Sequence, residues 1–203
     1  MILYGAPNPA PNPRRVRIFL VEKGIDLPET PVDMRAREHK SDDFMAKNSL
    51  GQLPTLVLED GTVIAETVSI CRYFEESHPE DPLFGSTAVE KAQVDMWIRR
   101  VEFVVMGPVG NYWRHAHPFT AKLLTQYKDF GESNRASYMN ALTWMDRELE
   151  GQLFVAGPRY TMADICLLTT VDFATWIGME IPAELTNIAA WHARVSARAS
   201  AKA

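Results

Sequence analysis

The sequence predicts an α/β domain over residues 1–77 and an all-α domain over residues 86–203, joined by a linker at 78–85. Three observations predict it. The apolar runs at 2–4, 55–58 and 62–65 read as strands, while the long stretches after Gly85 place their apolar residues at helical spacing. Ser77-His-Pro-Glu-Asp-Pro-Leu-Phe-Gly85 sets two prolines and a glycine between helical patterns, which marks a linker. A chain of 203 residues with 46% hydrophobic content is long enough to bury a substantial core.

Residues 2–4 form a short apolar strand, and the prolines between Ala6 and Pro13 forbid regular structure behind it. Asn12-Pro13 reads as an N-cap followed by proline at the first helical position. The helix starting there carries Val16, Phe19 and Leu20 on one face, with Ile18 and Val21 beside them, and stops at Gly24. Residues 31–34 supply a second strand, expected to lie parallel to the first in a βαβ unit. Ser41, Asp42 and Asp43 open a short helix, since acidic side chains favour a first turn, and His39 and Lys40 precede it. Residues 55–58 and 62–65 then flank Asp60-Gly61, the dipeptide of a type I′ hairpin. Pro54 opens the first of these strands, where its missing N–H costs no ladder bond and a cis peptide is tolerated. A helix begins at Thr67 with Val68, Cys71 and Phe74 on one face, which leaves Glu66 at the strand-to-helix corner. The order β-α-β, then β-β-α, is thioredoxin-like.

In the second half, Thr87 and Glu90 form a capping box for a long helix through Val89, Ala92, Met96, Trp97, Arg100 and Val104, which Gly107-Pro108 is expected to kink or end. Residues 110–118 are aromatic and cationic and are expected to cover a wall of a cleft; His115 and His117 do not share a helical face, so no metal site is expected there. After Ser133, the residues Ala136, Met139, Leu142, Met145 and Leu149 make a core stripe ending near Gly151. Residues 165–173 are apolar all round and so belong to a central helix, capped by Thr161 with Asp164, and the tail from Pro182 to Arg198 continues helical.

Composition excludes several classes. Net charge is −5, from 21 Lys+Arg against 26 Asp+Glu, and the basic residues are spread apart from Arg14, Arg15 and Arg17, so no nucleic-acid partner is expected. Cys71 and Cys166 lie inside predicted helices without a CxxC, which indicates neither a disulfide framework nor a cysteine metal site and fits a reducing compartment. The N-terminus lacks a basic and then apolar leader, and no apolar run approaches membrane-spanning length. A soluble, cytoplasmic protein with no membrane partner is expected.

The corner at Glu66 suits the end of an amino acid. Its carboxylate accepts from an ammonium, while the Thr67 hydroxyl and the positive helix end suit a carboxylate. Just before it, Gln52 and the Leu53 backbone are placed to pair with a short extended peptide. Residues 51–67, Gly-Gln-Leu-Pro-Thr-Leu-Val-Leu-Glu-Asp-Gly-Thr-Val-Ile-Ala-Glu-Thr, resemble the glutathione-binding segment of the cytosolic glutathione S-transferase family. The Thr161-Met-Ala-Asp164 box and the tail are also similar to that family, so the resemblance spans nearly the whole chain. It implies a glutathione transferase fold, a thioredoxin-like domain followed by a helical one, and a homodimer. It assigns the cysteinyl unit of glutathione to the Leu53 backbone before a cis Pro54, the γ-glutamyl end to Glu66 and Thr67, and the glycine carboxylate to Lys40 or His39. Tyr112, Trp113 and Arg114 would build the electrophile site.

The implied reaction is attack of the glutathione sulfur on a small hydrophobic electrophile, a detoxification with glutathione as co-substrate and no metal. A thiol of this kind has a pKa of ~8.5, so the protein must stabilise the thiolate. Family members commonly use a Tyr, Ser or Cys near the first helix, but here Ala10 occupies the usual Ser or Cys position in Pro9-Ala-Pro-Asn-Pro13. What remains is the Asn12 amide, the backbone N–H groups at Ala10 and the helix start, and, behind them, the Tyr4 phenol. Ala10-Pro11-Asn12 also resembles the Thr-Pro-Asn of relatives that use glutathione to reduce disulfides, without the threonine hydroxyl. The alternatives are therefore a glutathione-dependent disulfide reductase and a non-catalytic binding or stress-response protein on the transferase fold.

Overall fold

Four strands form a mixed sheet in the order β2-β1-β3-β4 in the computed structural model, which describes residues 1–203. β1 (Ile2–Gly5) runs parallel to β2 (Glu29–Pro31) and antiparallel to β3 (Thr55–Val57), which pairs antiparallel with β4 (Val63–Ala65). Leu3 and Leu56 face each other across β1 and β3, both fully buried. The short α2 (Asp42–Met45) follows β2, and α1 (Pro11–Glu22) and α3 (Thr67–Ser77) pack together, burying Val16, Phe19 and Leu20 from one and Val68, Ile70, Cys71 and Phe74 from the other. Lys23 and Glu75 add a buried ion pair at 3.0 Å.

Local chemistry corrects three expectations in this unit. The second strand lies at Glu29–Pro31 rather than at 31–34, because Asp33 turns the chain by accepting the N–H groups of Arg35 and Ala36 at 2.7 and 3.0 Å. The hairpin is not type I′. Of its Asp-Gly pair only Gly61 has positive φ, at 86°; its N–H donates to the Leu58 carbonyl, and Asp60 Oδ1 accepts the Thr62 N–H at 2.9 Å. This is a type I turn closed by a left-handed glycine, the usual build of a three-residue loop. Finally, α1 begins at Pro11 with Ala10 as its N-cap, so Asn12 lies inside the first turn and caps nothing.

The chain divides into two compact units, residues 1–82 with 199–203, and residues 83–198. The last five residues belong to the first unit. Their 3₁₀ turn (Ala199–Lys202) lies on α1, with Ser200 bonded to the Glu22 carboxylate and Arg14 donating to the Ala201 carbonyl at 2.7 Å.

In the helical unit α4 (Ala88–Arg100) starts at the Thr87–Glu90 capping box. It does not end at Gly107-Pro108. A π turn (Val101–Met106) carries it into α5 (Gly107–His115), with the Gly107 N–H bonded to the Glu102 carbonyl five residues back. The N–H that Pro108 lacks thus falls where the ladder changes register. α6 (Lys128–Glu148) starts earlier than Ser133. Gly131 lies so close beneath Ala116 that an added Cβ would come within 2.7 Å of it, so this glycine brings α5 and α6 together instead of breaking the helix. The buried face of α6 is Tyr138, Ala141, Leu142 and Met145, whereas Ala136 is exposed and Met139 half-buried. α7 (Met162–Trp176) is almost wholly buried, and α8 (Thr186–Ser196) packs Ile188, Trp191 and Val195 into the same core. Both cysteines are buried and form no disulfide, and no helix is long and apolar enough to cross a membrane.

Candidate active site

Register brings four loops to one end of the sheet. Tyr4 on β1 pairs with Thr30 on β2 and Thr55 on β3, and Thr55 pairs with Ala65 on β4. The segments that leave β1, β2 and β4 and the one that enters β3 therefore emerge together. They carry Ala10 and Asn12, His39 and Lys40, Glu66 and Thr67, and Gln52 to Pro54 respectively.

The Leu53–Pro54 peptide is cis. Leu53 is half-buried and its backbone groups are paired with nothing in the chain, an arrangement suited to main-chain pairing with a peptide. The loop before it is held by Asn48, a buried residue to which the sequence reading gave no role. Its Nδ2 donates to the Gln52 carbonyl and to Thr55 Oγ1, both at 3.0 Å, while its Oδ1 accepts the Leu50 N–H at 3.1 Å. Gln52 itself is exposed. Glu66 precedes α3 with φ 67° and ψ 124°, its side chain exposed and making no cap bond. A non-glycine residue in that region is strained, by about 1–3 kcal/mol, and such strain concentrates at functional sites. Thr67 opens α3 and is buried.

His39 and Lys40 lie in a 3₁₀ turn (Glu38–Lys40), where Lys40 Nζ donates to the Leu50 carbonyl at 2.7 Å. Burial, with the Lys40 and Arg37 charges nearby, holds the His39 imidazole below the usual histidine range, so at neutral pH Lys40 is the cation of the pair.

At the start of α1 the proline spacing has a consequence for anions. Pro11 and Pro13 have no N–H, Ala10 N–H bonds the Pro7 carbonyl, and Arg14 N–H bonds the Ala10 carbonyl. Asn12 is the one residue of the first turn with a backbone N–H to offer, and it adds a side-chain amide. The Tyr4 ring lies edge-on to Phe44, with centroids 5.8 Å apart.

The structure does not bring Tyr112, Trp113 and Arg114 to one surface. Consecutive helical residues point about 100° apart. Tyr112 is buried beneath Arg135, which donates to its hydroxyl at 2.6 Å. Trp113 joins an aromatic stack with Phe119 at 5.4 Å and Trp176 at 5.6 Å, and Arg114 is exposed. Burial lowers the pKa of His117, which tilts onto Trp113.

Residues 10–77 match the family described as glutathione S-transferase, N-terminal domain, and residues 95–194 match glutathione S-transferase, C-terminal domain. Glutathione S-transferase 2 of Saccharomyces cerevisiae is 34% identical over 206 residues, which span 100% of this chain and 88% of that protein. The crystal structure of Gtt2 from the same organism superposes with a TM-score of 0.92 at 33% identity, covering 100% of this chain and 99% of that one. A glutathione S-transferase domain-containing protein of Marinobacter aquaeolei VT8 gives a TM-score of 0.92 at 35% identity, covering 98% and 99%.

Proposed function

We infer, from the premise that this chain belongs to the glutathione S-transferase family, that the sheet end described above binds glutathione and ionises its thiol for attack on a small hydrophobic electrophile. The chain is a glutathione S-transferase-like enzyme with glutathione as its co-substrate. The observation that carries the reading is the pairing of an open Leu53 backbone before cis Pro54 with the strained Glu66–Thr67 corner across the β3–β4 hairpin. Leu53 receives the cysteinyl unit, Glu66 and Thr67 the γ-glutamyl ammonium and carboxylate, and Lys40 the glycine carboxylate. The cysteinyl sulfur then meets the start of α1, its proton leaves to water, and the thiolate forms a bond to the electrophilic carbon, whose leaving group departs to solvent with the bonding electron pair. Calorimetric titration with glutathione, followed by a conjugation assay on a general aromatic electrophile, tests this; binding without turnover would support a non-catalytic role and overturn the transferase assignment.

Asn12 is the proposed thiolate donor. A helix end stabilises a nearby anion by about 0.3–1 kcal/mol, and up to about 2 when partly buried, which lowers the thiol pKa by roughly one unit. Because Asn12 is not a cap, Asn12→Ala is expected to raise the pKa of bound glutathione without lowering the melting temperature. Ala10→Ser places a hydroxyl at the true N-cap; it is expected to lower that pKa by donating to the thiolate, with little change in the melting temperature because Pro13 has no N–H for the hydroxyl to cap. Ultraviolet titration of the bound thiolate and thermal melts check both. Lys40→Ala should weaken glutathione binding about threefold to fivefold, as expected for an exposed ion pair, while His39→Ala should change it less at pH 7.

The helical unit by itself carries an exposed aromatic surface, with Phe119 and Trp176 about half exposed beside Trp113, that suits a small hydrophobic molecule. The cytoplasm is the proposed compartment and a homodimer the proposed assembly. α4 and the π turn carry an apolar surface in Val89, at 67% exposure, Met96 and Phe103, at 73%, more than one internal face needs. Trp97 beside them is half-buried and stacked on Trp144 at 5.8 Å. Light scattering is expected to give twice the chain mass of 22.9 kDa.

A further inference from the structure

We propose that Arg17 is a positioning residue for the glutathione thiol, holding in place the corner that presents Ala10 and Asn12. The inference rests on the function proposed above and concerns a residue that does not itself touch the sulfur.

Arg17 lies one and a half turns into α1 and its guanidinium reaches back over the loop that leads into the helix. Nη1 donates to the Ala6 carbonyl at 3.0 Å and Nη2 to Asn8 Oδ1 at 2.6 Å, so one planar fork holds the loop at two residues on either side of Pro7. The fork is itself fixed. The Glu29 carboxylate on β2 lies 3.2 and 3.1 Å from Nη1 through its two oxygens, and both side chains are about four-fifths buried. Room for that carboxylate comes from Gly5, where an added Cβ would fall on the Glu29 carboxyl group. Backbone conformation does not demand the glycine, since Gly5 is not among those with positive φ. Three features of the chain thus converge on one end: a glycine that leaves space, a carboxylate that fills it, and an arginine that transmits the position to residues 6 and 8.

Placement matters here because the α1 start has so few donors. With Pro11 and Pro13 lacking N–H groups, the thiolate depends on Asn12 alone among the first-turn residues. A displacement of about 1 Å in such a group is enough to cost one to two orders of magnitude in rate. Within the loop the Ala10 N–H bonds the Pro7 carbonyl and Asn8 Nδ2 donates to the Ala203 carbonyl, and Arg17 adds the two bonds that tie residues 6 and 8 to α1.

The test measures kcat and KM against pH, at saturating electrophile, for the parent and for Arg17→Met, which keeps the length of the side chain and removes the fork. A positioning role predicts that kcat at neutral pH falls about tenfold, that its rising limb moves up by about one pH unit, and that KM for glutathione changes less than about threefold. Binding of S-methylglutathione, which has no thiol to ionise, should stay within about twofold of the parent, since its recognition uses the other loops. A structural role alone would lower the melting temperature and the active fraction without moving the limb. An unmoved limb in folded Arg17→Met overturns the proposal. If Arg17→Met does not fold, Asn8→Ala, which removes one end of the fork from an exposed loop, and Gly5→Ala, which displaces Glu29, are measured instead; an upward limb supports the proposal and an unchanged one overturns it. A parent that fails to bind glutathione at all would overturn the underlying function, and that outcome is visible before any variant is made.

Discussion

Asp164→Ala is expected to destabilise the helical unit by roughly 3–5 kcal/mol, the largest effect of any single substitution considered for this chain. Asp164 is fully buried, and its two oxygens accept from Val155 N–H at 2.9 Å, Trp191 Nε1 at 2.8 Å, Thr161 N–H at 3.0 Å and Thr161 Oγ1 at 3.2 Å. Removing the carboxylate leaves donors from three segments buried without an acceptor, and burying an unpaired donor costs about 1–3 kcal/mol. Burial pushes this carboxyl up to about 6 against the pull of those hydrogen bonds. Its folded pKa then lies above the unfolded value, so the folded chain holds a proton that the unfolded chain has lost. The stability this group contributes is complete below about pH 4 and is lost as pH rises through 6. Denaturant unfolding at pH 4 and pH 7 checks both statements. The gap between parent and Asp164→Ala should be wider at pH 4.

Glu66→Ala should weaken glutathione binding by about 1.5–3 kcal/mol, or roughly 10- to 150-fold, because the γ-glutamyl ammonium loses a charge-assisted partner. Stability should hardly change, since the carboxylate is exposed, makes no cap bond and is replaced by a residue under the same backbone strain at φ 67°. Glu66→Gly separates the two effects. Glycine adopts positive φ without cost, so this variant should be at least as stable as the parent while binding as weakly as Glu66→Ala. Calorimetry and thermal melts on the three proteins provide the check. A Glu66→Gly variant that binds like the parent would remove Glu66 from the site.

Much of the site was legible because its chemistry is local. Pro54, the Asp60-Gly61 turn and the Glu66–Thr67 corner lie within fourteen residues, and turn formers and a helix start announce themselves by residue type. The start of α1 was misread for an equally local reason. Both Pro11 and Pro13 suit the first turn of a helix, and the capping preference of Asn12 favoured the wrong one, whereas the chain enters through Ala10 at φ −57°. The residues that brace the site were out of reach. Arg17 finds Glu29 only once β2 lies beside β1, and Asn48 finds Thr55 only once the loop has folded back on itself. In the helical unit the π turn hid the continuity of α4 and α5 in the same way, since a register change that accommodates Pro108 leaves no mark on sequence periodicity.

The central claim is that the end of the sheet holds glutathione with its sulfur at the start of α1. Ultraviolet titration of glutathione bound to the parent protein tests this most directly. The account predicts a thiolate signal whose midpoint lies roughly one pH unit below that of free glutathione, and none from S-methylglutathione bound at the same site. A bound thiol that titrates at the free value would contradict it.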